Sequence, residues 1–385
     1  KVSYSLTADR GPAFVTNWQA ILNSYSPWRP SASVTESGMR ITELENSELT
    51  YEKKHEFNVG IDLGFLKNRL NLAADYYRRN NFDLIGVINT QGAGGTIAKY
   101  ANIASMKSSG IELTISSKNM RTKDFSWNTD FIFSKTKNEI TDLKSHANVL
   151  SLISGNGFGR EGYPVRGLFS IPFAGLTEDG LPTFINQDGQ KTISSFNFQE
   201  YEKLDFLKYE GPTDPTITGS FGNILTYKNL KLNVFVTYSF GNVIRLDPVF
   251  SNAYSDLDAM PKEFKNRWMK AGDENVTNIP TIVSTRMNQQ YAYLNMAYNA
   301  YNYSDVRIAD GGFIRLKEIS LSYDLPAKVI NFFRLNKLQL KLQATNLCLL
   351  YADSKLNGQD PEFFRSGGVS TPVPKQFTFT VRLGL

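Results

Sequence analysis

The chain has 385 residues, of which 41% are hydrophobic and 21% charged, and its net charge is +5. Its basic residues are dispersed, without a block that could follow a phosphate backbone, so nucleic acid is not an expected partner. No segment approaches the roughly 18 consecutive apolar residues of a membrane helix, which excludes helical spans. A single cysteine and two distant histidines leave little for disulfides, zinc sites or catalytic triads.

The first residues, Lys1 to Leu6, have the character of a strand interior. They lack an initiator methionine, a charged leader region and an apolar leader segment. We therefore expect residues 1–385 to be a piece of a longer protein.

Apolar residues recur at every second position in segments throughout the chain, which is typical of strands with one apolar face. The opposite face of these segments is too polar for a dry interior but suits a water-filled lumen. Strands of about ten residues have the length that a tilted strand needs to cross a bilayer. The clearest alternating segments are 57–63, 70–76, 111–115, 232–238, 338–344 and 376–385. The sequence therefore predicts an all-β fold, a transmembrane antiparallel up-and-down β-barrel.

The connections between these segments alternate between short and long, as in barrels with short periplasmic turns and long extracellular loops. Counted back from Leu385, every short turn falls on one side, which predicts about twelve strands that end at the periplasmic face. The predicted short turns are 65–69, 118–123, 174–181, 228–229 and 326–336. The predicted long loops are 11–53, 86–103, 139–162, 187–214, 242–310 and 351–374.

Some local features interrupt the alternation of apolar and polar residues, and others mark the ends of the predicted strands. The apolar phase shifts near Lys317 and Glu318, which predicts a β-bulge, and 163–175 is a weak strand candidate. Pro12 to Tyr25 and Pro261 to Lys270 have helical spacing after proline, which predicts short surface helices in the loops. Aromatic residues near strand ends on the apolar face predict girdles at the membrane interfaces: Tyr76, Trp127, Tyr238 and Tyr323.

Several segments together resemble the carboxy-terminal half of the SusC/RagA family of TonB-dependent outer-membrane transporters of Bacteroidetes. Each segment alone is weak evidence for the family, but the combination of segments is specific to it and covers most of the chain. They are Glu56-Phe-Asn-Val-Gly-Ile-Asp-Leu-Gly-Phe-Leu-Lys-Asn-Arg-Leu-Asn-Leu, Asp75-Tyr-Tyr, Ser109-Gly-Ile-Glu-Leu, Phe125-Ser-Trp with Asn138, Asn266-Arg-Trp-Met-Lys-Ala-Gly-Asp, Phe313 to Pro326, Thr345-Asn-Leu and Gly358-Gln-Asp-Pro-Glu.

The resemblance implies a roughly 22-stranded barrel with an amino-terminal plug and a TonB box, neither of which is in this sequence. It also implies a SusD-like lipoprotein lid, contact with the TonB complex through the missing part, outer-membrane lipid around the barrel and a dimer of transporter–lid pairs. The expected location is the outer membrane of a Gram-negative cell. Many outer-membrane barrels end in an aromatic residue, and the aliphatic Leu385 departs from that pattern.

Motifs for chemistry have simpler explanations. Gly157-Phe-Gly-Arg-Glu-Gly162 matches a dinucleotide-binding pattern but precedes Pro164 and a strand-like run, so a loop is favoured. The acids of 177–180 and 186–190 lie beside glycines, as in hairpin turns, and lack the spacing of a calcium loop. His55 and His146 have no evident nucleophile nearby, and Cys348 is in phase with the apolar face. We expect no enzyme activity, cofactor or metal.

The most suggestive loop is Gln289 to Ser304, where tyrosines and asparagines cluster. Aromatic faces with amide groups suit sugars or peptides, but tyrosine is also common where proteins pack together, here against a lid protein. Both roles can coexist. The candidate contacts are Tyr293, Tyr298, Tyr301, Tyr303, Asn299 and Asn302.

These observations favour energised import of a large nutrient, either an oligosaccharide or an oligopeptide. A passive porin or surface adhesin is the main alternative, and an upstream plug and TonB box would distinguish the two. A soluble β-sandwich also has period-two strands, but the polar second face and the alternation of turns and loops argue against it.

Overall fold

The computed structural model describes residues 1–11, 19–28, 36–90, 92, 98–255, 257, 260, 262–332, 335–364 and 374–384. Its strands are β1 (Val2–Asp9), β2 (Ile21–Tyr25), β3 (Gly38–Glu43), β4 (Glu52–Phe65), β5 (Leu70–Asn89), β6 (Ala98–Arg121), β7 (Phe125–Leu143), β8 (Gly167–Ser170), β9 (Phe173–Leu176), β10 (Pro182–Ile185), β11 (Lys191–Thr192), β12 (Lys208–Pro212), β13 (Ile217–Tyr227), β14 (Leu230–Phe240), β15 (Val243–Arg245), β16 (Ile308–Asp310), β17 (Phe313–Asp324), β18 (Lys337–Ala352) and β19 (Gln376–Gly384).

The helices are short and lie in the connections. They are α1 (Val149–Ile153), α2 (Thr285–Gln290), α3 (Leu294–Asn302) and α4 (Ala327–Phe332), with 3-10 turns at Lys262–Asn266, Asp273–Asn275, Asp305–Arg307 and Ser354–Leu356. Within the described ranges, no helix has the length and apolar character needed to cross a bilayer.

The long strands form one antiparallel sheet of ten strands, in the order β1-β4-β5-β6-β7-β13-β14-β17-β18-β19. The connections at one end, hereafter the short-turn end, are brief: 66–69, 122–124, 228–229 and 325–336. The connections at the opposite, long-loop end are 10–51, 90–97, 144–216, 241–312 and 353–375. This confirms the predicted alternation of short and long connections.

The sheet has ten strands where the sequence predicted about twelve. The difference arises at 174–181, which was predicted as a short turn between two membrane strands. That segment belongs to the small hairpin of β9 and β10 within a long loop. Its apolar residues Leu181 and Phe184 are fully buried. The mistake added two strands, and with them one short turn and one long loop. The predicted order of short and long connections therefore stayed the same, although the predicted number of strands was too high.

The two faces of the sheet differ as the alternation predicts. The apolar side chains of β19 point outward and are exposed, with Phe377 at 76% and Phe379 at 61%, and Leu342, which pairs with Phe379 from β18, is 58% exposed. On the other face, Ser220 and Ser320 are buried. Uniformly apolar side chains exposed along paired strands are what a lipid-facing surface requires.

The predicted bulge is confirmed. The register of β17 against both β14 and β18 skips Lys317, since Phe235 pairs with Glu318 while Val236 pairs with Leu316. One extra residue shifts the phase of the alternation, so Leu316 and Ile319 both lie on the outward face.

Three predictions for the long loops are wrong in part. Strand β5 continues to Asn89 and β6 begins at Ala98, so most of the predicted loop 86–103 is strand. The predicted helix from Pro12 to Tyr25 ends in strand β2 at Ile21–Tyr25, while residues 12–18 lie outside the described residues. The predicted helix from Pro261 to Lys270 is shorter than expected, since a 3-10 turn covers Lys262–Asn266 and residues 267–270 are not helical, with Pro261 outside the described residues.

Candidate functional site

The two longest loops, 144–216 and 241–312, fold together into one structure, hereafter the loop body. They share an apolar core that includes Phe169 and Leu152 from the first loop and Phe250 and Tyr298 from the second. The backbone joins them as well, since Ile171 N donates to Tyr303 O at 3.0 Å and Asp305 N donates to Ile171 O at 3.2 Å. The loop body therefore has its own core at the long-loop end of the sheet.

A tryptophan fixes one contact between the two loops. The Trp268 ring packs on the turn at Gly180, where an added Cβ would lie 2.4 Å from Trp268 Cδ2. Gly180 also has a φ of +75°, a conformation that favours glycine. The Trp268 Nε1 donates to Glu274 at 3.0 Å, which holds the ring in place.

The tyrosine-rich segment supplies the central helix of the loop body. Helix α3 buries Leu294, Ala297, Tyr298 and Tyr301, which are spaced along one helical face. The Tyr298 hydroxyl donates to Thr281 O at 2.5 Å. Burial raises the pKa of both tyrosines above their ordinary value.

Three of the predicted contact residues are therefore interior. Tyr298 is 1% exposed, Tyr301 is 2% exposed and Asn302 is 4% exposed. The Asn302 amide donates to Phe250 O at 2.8 Å and its oxygen accepts from Phe250 N at 3.1 Å. These side chains hold the two halves of the second loop together.

The other three predicted residues remain accessible. Tyr293 is 71% exposed and Asn299 is exposed, while Tyr303 is half-buried. The six candidate contacts therefore do not form one accessible surface, because Tyr298 and Tyr301 turn into the core. The helical spacing of the segment was the signal for this burial.

A cleft of about 1300 Å³ lies between the loop body and the adjacent ends of β17 and β18. Its lining includes Tyr303 and Arg245 from the loop body, Arg315 from β17 and Asn346 from β18. It is large enough for several units of an oligomer, since ligand pockets commonly measure about 300–1,000 Å³. Aromatic, cationic and amide groups meet here.

Arg245 is one of two buried cations that line this cleft, and it also joins the two loops. It is 7% exposed and donates to Phe169 O at 2.6 Å, Ser170 Oγ at 3.0 Å and Ser304 O at 3.1 Å. Its Cζ lies 5.7 Å from the centre of the Tyr303 ring. Burial lowers the pKa of Arg245 to about 10, so it is charged at neutral pH.

The last connection crosses the cleft as a strap, residues 353–364. Its Asp360 makes a buried ion pair with Arg315, with both carboxylate oxygens 2.6 Å from Nη2. Lys355 Nζ donates to Ile308 O at 2.9 Å, and Leu356 is 1% exposed against Ile244 and Ala309. The strap thereby connects the barrel wall with the loop body.

Sequence reasoning missed both arginines. Arg245 stands alone in the apolar run Val243 to Leu246, and a charge inside such a run is a signal of a buried, hydrogen-bonded side chain. Arg315 is in phase with the polar face of β17, where nothing in the sequence reveals its partner. Asp360 was part of a quoted motif, but without a role.

The segments that matched calcium-binding, nucleotide-binding or catalytic patterns in the sequence have ordinary structural roles. Asn186 Oδ1 accepts from Asp188 N and Gln190 N, and Asp188 pairs with Lys203. The glycine-rich segment 157–162 contains no helix. His55 lies 3.2 Å from the Tyr4 hydroxyl. Among the described residues, no three His, Cys, Asp or Glu side chains are grouped to hold a metal ion.

Comparison with known proteins identifies relatives of one kind. No protein-family model matches the chain. TonB-dependent receptor P3 of Formosa agariphila is 26% identical over 349 residues, covering 85% of this chain and 32% of that protein. TonB-dependent receptor SusC of Bacteroides thetaiotaomicron is 26% identical over 360 residues, covering 88% of this chain and 32% of that protein. The chain thus spans about a third of these relatives.

Solved structures support the same fold. The structure of the RagAB peptide transporter superposes with a TM-score of 0.77 at 23% identity, covering all of this chain and 40% of that chain. The ten-stranded sheet is therefore part of a β-barrel of the RagA kind. The short-turn end and the long-loop end correspond to the periplasmic and extracellular ends of an outer-membrane barrel. The chain is therefore similar in sequence to TonB-dependent receptors and in fold to the RagA outer-membrane β-barrel.

Proposed function

We propose that this chain forms the carboxy-terminal part of the barrel of a transporter that imports a large nutrient with energy from TonB. The plug domain and TonB box would be supplied by the rest of a longer protein. The observation that carries the proposal is the loop body, which has its own core and borders a cleft of about 1300 Å³ at the barrel mouth. A pore for passive diffusion of small solutes needs no such structure.

The substrate we propose is an oligosaccharide or an oligopeptide. The cleft offers the Tyr303 ring for stacking and the Asn346 amide and Arg245 for polar contacts. Both substrate classes use such groups. RagAB, the structural relative named above, is a peptide transporter, which favours testing peptides alongside glycans.

A SusD-like lipoprotein lid is the proposed partner at the extracellular end. The exposed Tyr293 and Asn299 lie on the loop body, where a lid would rest, whereas Tyr303 borders the cleft. We assign Tyr303 to substrate contact and Tyr293 and Asn299 to the lid. Tyr298, Tyr301 and Asn302 would act by shaping the loop body.

The test is uptake of fluorescent oligosaccharides and peptides by cells that carry the full-length protein, with and without TonB. Uptake should require TonB, and TonB-independent uptake would favour the passive porin. Tyr303→Ala should weaken binding about twofold to tenfold, as expected for one aromatic stacking contact. Tyr293→Ala is the matched control, which should reduce lid retention but leave substrate binding unchanged.

A further inference from the structure

The outward face of the barrel carries a cluster of four cations on three neighbouring strands, hereafter the rim patch. It consists of Arg78 on β5, Lys107 on β6 and Lys135 and Lys137 on β7. The register aligns Phe57 with Arg78, Arg78 with Ser109 and Ser109 with Lys137. Residues directly opposite each other in a sheet share a face, so these cations point the same way as the outward Phe57.

The adjacent rows complete the patch. Toward the extracellular end, His55 aligns with Asn80, Lys107 and Glu139. Toward the membrane centre, Val59 aligns with Tyr76, Ile111 and Lys135. Within these rows Glu139 is the single carboxylate against four cations, so the rim patch is net positive.

The cations are available for a ligand. The side chains of Arg78 and Lys135 are exposed, and they make no hydrogen bond or ion pair with any residue that the structure describes. The Lys137 side chain is 78% exposed and lies 4.0 Å from Glu139. Lys107 holds Glu139 at 2.7 Å, which leaves Lys137 with a weak partner.

The apolar residues on the periplasmic side of the rim patch indicate its height in the membrane. On β4 the outward residues from Phe57 to Phe65 are all apolar, and eight steps of about 3.3 Å cover about 26 Å along the strand. With the strand tilted by about 35–45°, this length covers about 18–21 Å of height, which is most of the apolar band, about 25 Å tall, of an outer-membrane barrel. The rim patch therefore lies at the upper edge of the band, where the headgroups of outer-leaflet lipids are found.

Among the described strands, the rim patch does not continue from β7 onto β13 and β14 at the level of Lys135. At the level of Lys135, the neighbouring strands present Ile217 on β13 and Phe240 on β14. Lysines can also lie at the membrane interface only to extend their charged ends into water. Such lysines could be spread around the barrel, so their concentration on three strands favours a specific ligand.

We propose that the rim patch binds the phosphate groups of an outer-leaflet lipid. Arginine binds phosphate with two parallel hydrogen bonds, and lysines add point charges around it. The membrane is the source of phosphate that this face meets, because its side chains point away from the lumen. The proposal requires the outer-membrane location but not the proposed import function.

The experiment measures lipid binding by the full-length transporter in mild detergent, using native mass spectrometry. The probes are bisphosphorylated lipid A and the same lipid after removal of both phosphates. The test variant is Arg78→Gln/Lys135→Gln/Lys137→Gln. The matched control removes three cations at the periplasmic end: Lys67→Gln/Lys123→Gln/Lys228→Gln.

Each cation removed from the rim patch should weaken binding of the phosphorylated lipid about fivefold, whereas the control variant should bind like the unaltered protein. The phosphate-free lipid should bind weakly to all three. Equal binding of the phosphorylated lipid by the test variant and the unaltered protein would overturn the proposal. Equal binding of both lipids by the unaltered protein would also overturn it, because acyl chains would then supply the contact.

Single substitutions cover the case in which the triple variant fails to fold. Lys137→Gln should weaken binding about fivefold and Lys137→Arg should retain it. Equal loss in both would contradict a charge interaction. Uptake is measured separately, so loss of lipid binding with normal import leaves the proposed function intact.

Discussion

Phe377 on the outward face of the barrel is 76% exposed, whereas Phe169 in the loop body is fully buried. The two residues are the same type, and the difference lies in what surrounds them. Phe377 belongs to a face that lipid covers, while Phe169 must be covered by other protein side chains. The chain thus combines a sheet whose apolar surface is outside with a loop structure whose apolar surface is inside.

This contrast predicts a large difference between two phenylalanine-to-alanine substitutions. Phe169→Ala should destabilise the loop body by about 3–5 kcal/mol, because it leaves a cavity in a packed core. Phe377→Ala should cost less, since lipid chains can fill the space. Hydrogen exchange of the 144–216 and 241–312 segments is the measurement, and equal protection in both variants would show that the loop body has no core of its own.

A charge on each face of one strand tests the lipid-facing assignment. Val234 lies on the outward face of β14, and the adjacent Asn233 donates to Glu318 at 3.2 Å on the inward face. Val234→Arg should destabilise the barrel by about 2–4 kcal/mol near the membrane midplane. Asn233→Arg should be tolerated beside Glu318. Heat-modifiable mobility of the folded barrel measures both, and equal loss would contradict the assignment of faces.

The buried tyrosines predict how the loop body responds to alkaline pH. Because burial raises the pKa of Tyr298 and Tyr301 in the folded state, only the unfolded state releases their protons just above the ordinary pKa of about 10. Stability should therefore fall as pH rises past about 10, by up to about 1.4 kcal/mol per pH unit for each tyrosine. Arg245 acts in the opposite sense, because its pKa is lowered to about 10 and the unfolded state keeps the proton longer.

The double variant Tyr298→Phe/Tyr301→Phe isolates this effect. Its loop body should lose less stability above pH 10 than that of the unaltered protein, and Tyr293→Phe is the exposed control. Denaturant unfolding at a series of pH values gives the comparison. An unchanged slope in the double variant would mean that the two tyrosines ionise in the folded state.

A smaller effect distinguishes buried from exposed hydroxyls at neutral pH. Tyr298→Phe leaves Thr281 O without its donor and should cost about 0.5–1.5 kcal/mol. Tyr293→Phe should change stability by less than about 0.5 kcal/mol, as expected at an exposed position. Urea unfolding of the loop body compares them, and similar losses would place Tyr293 in a contact that its exposure does not suggest.

The barrel strands were predictable because one physical rule acts along each of them. Lipid on one side and water on the other impose a period of two, and the phase shift at Lys317 was visible for the same reason. The strand ends were less predictable. Strands β5 and β6 continue beyond the membrane, where no bilayer imposes the alternation.

The loop body was poorly predicted because its core joins segments far apart in the sequence. The hairpin around Gly180 resembles a membrane hairpin locally, and its burial depends on Trp268 from the other loop. The tyrosines of α3 were expected at the surface because their residue types suit ligand contact. Their helical spacing was present in the sequence, but only the position of the second loop shows which residues cover them.

Spin labelling tests most directly whether the barrel sheet has one face toward lipid and the other toward water. Phe379 and Thr378 are neighbours on β19 and point to opposite faces. Labels at Phe379→Cys and Thr378→Cys, with Cys348→Ser to remove the native thiol, would be compared in proteoliposomes. The account predicts that the label at 379 is relaxed mainly by oxygen and the label at 378 mainly by a water-soluble nickel chelate. The same preference at both positions would contradict it.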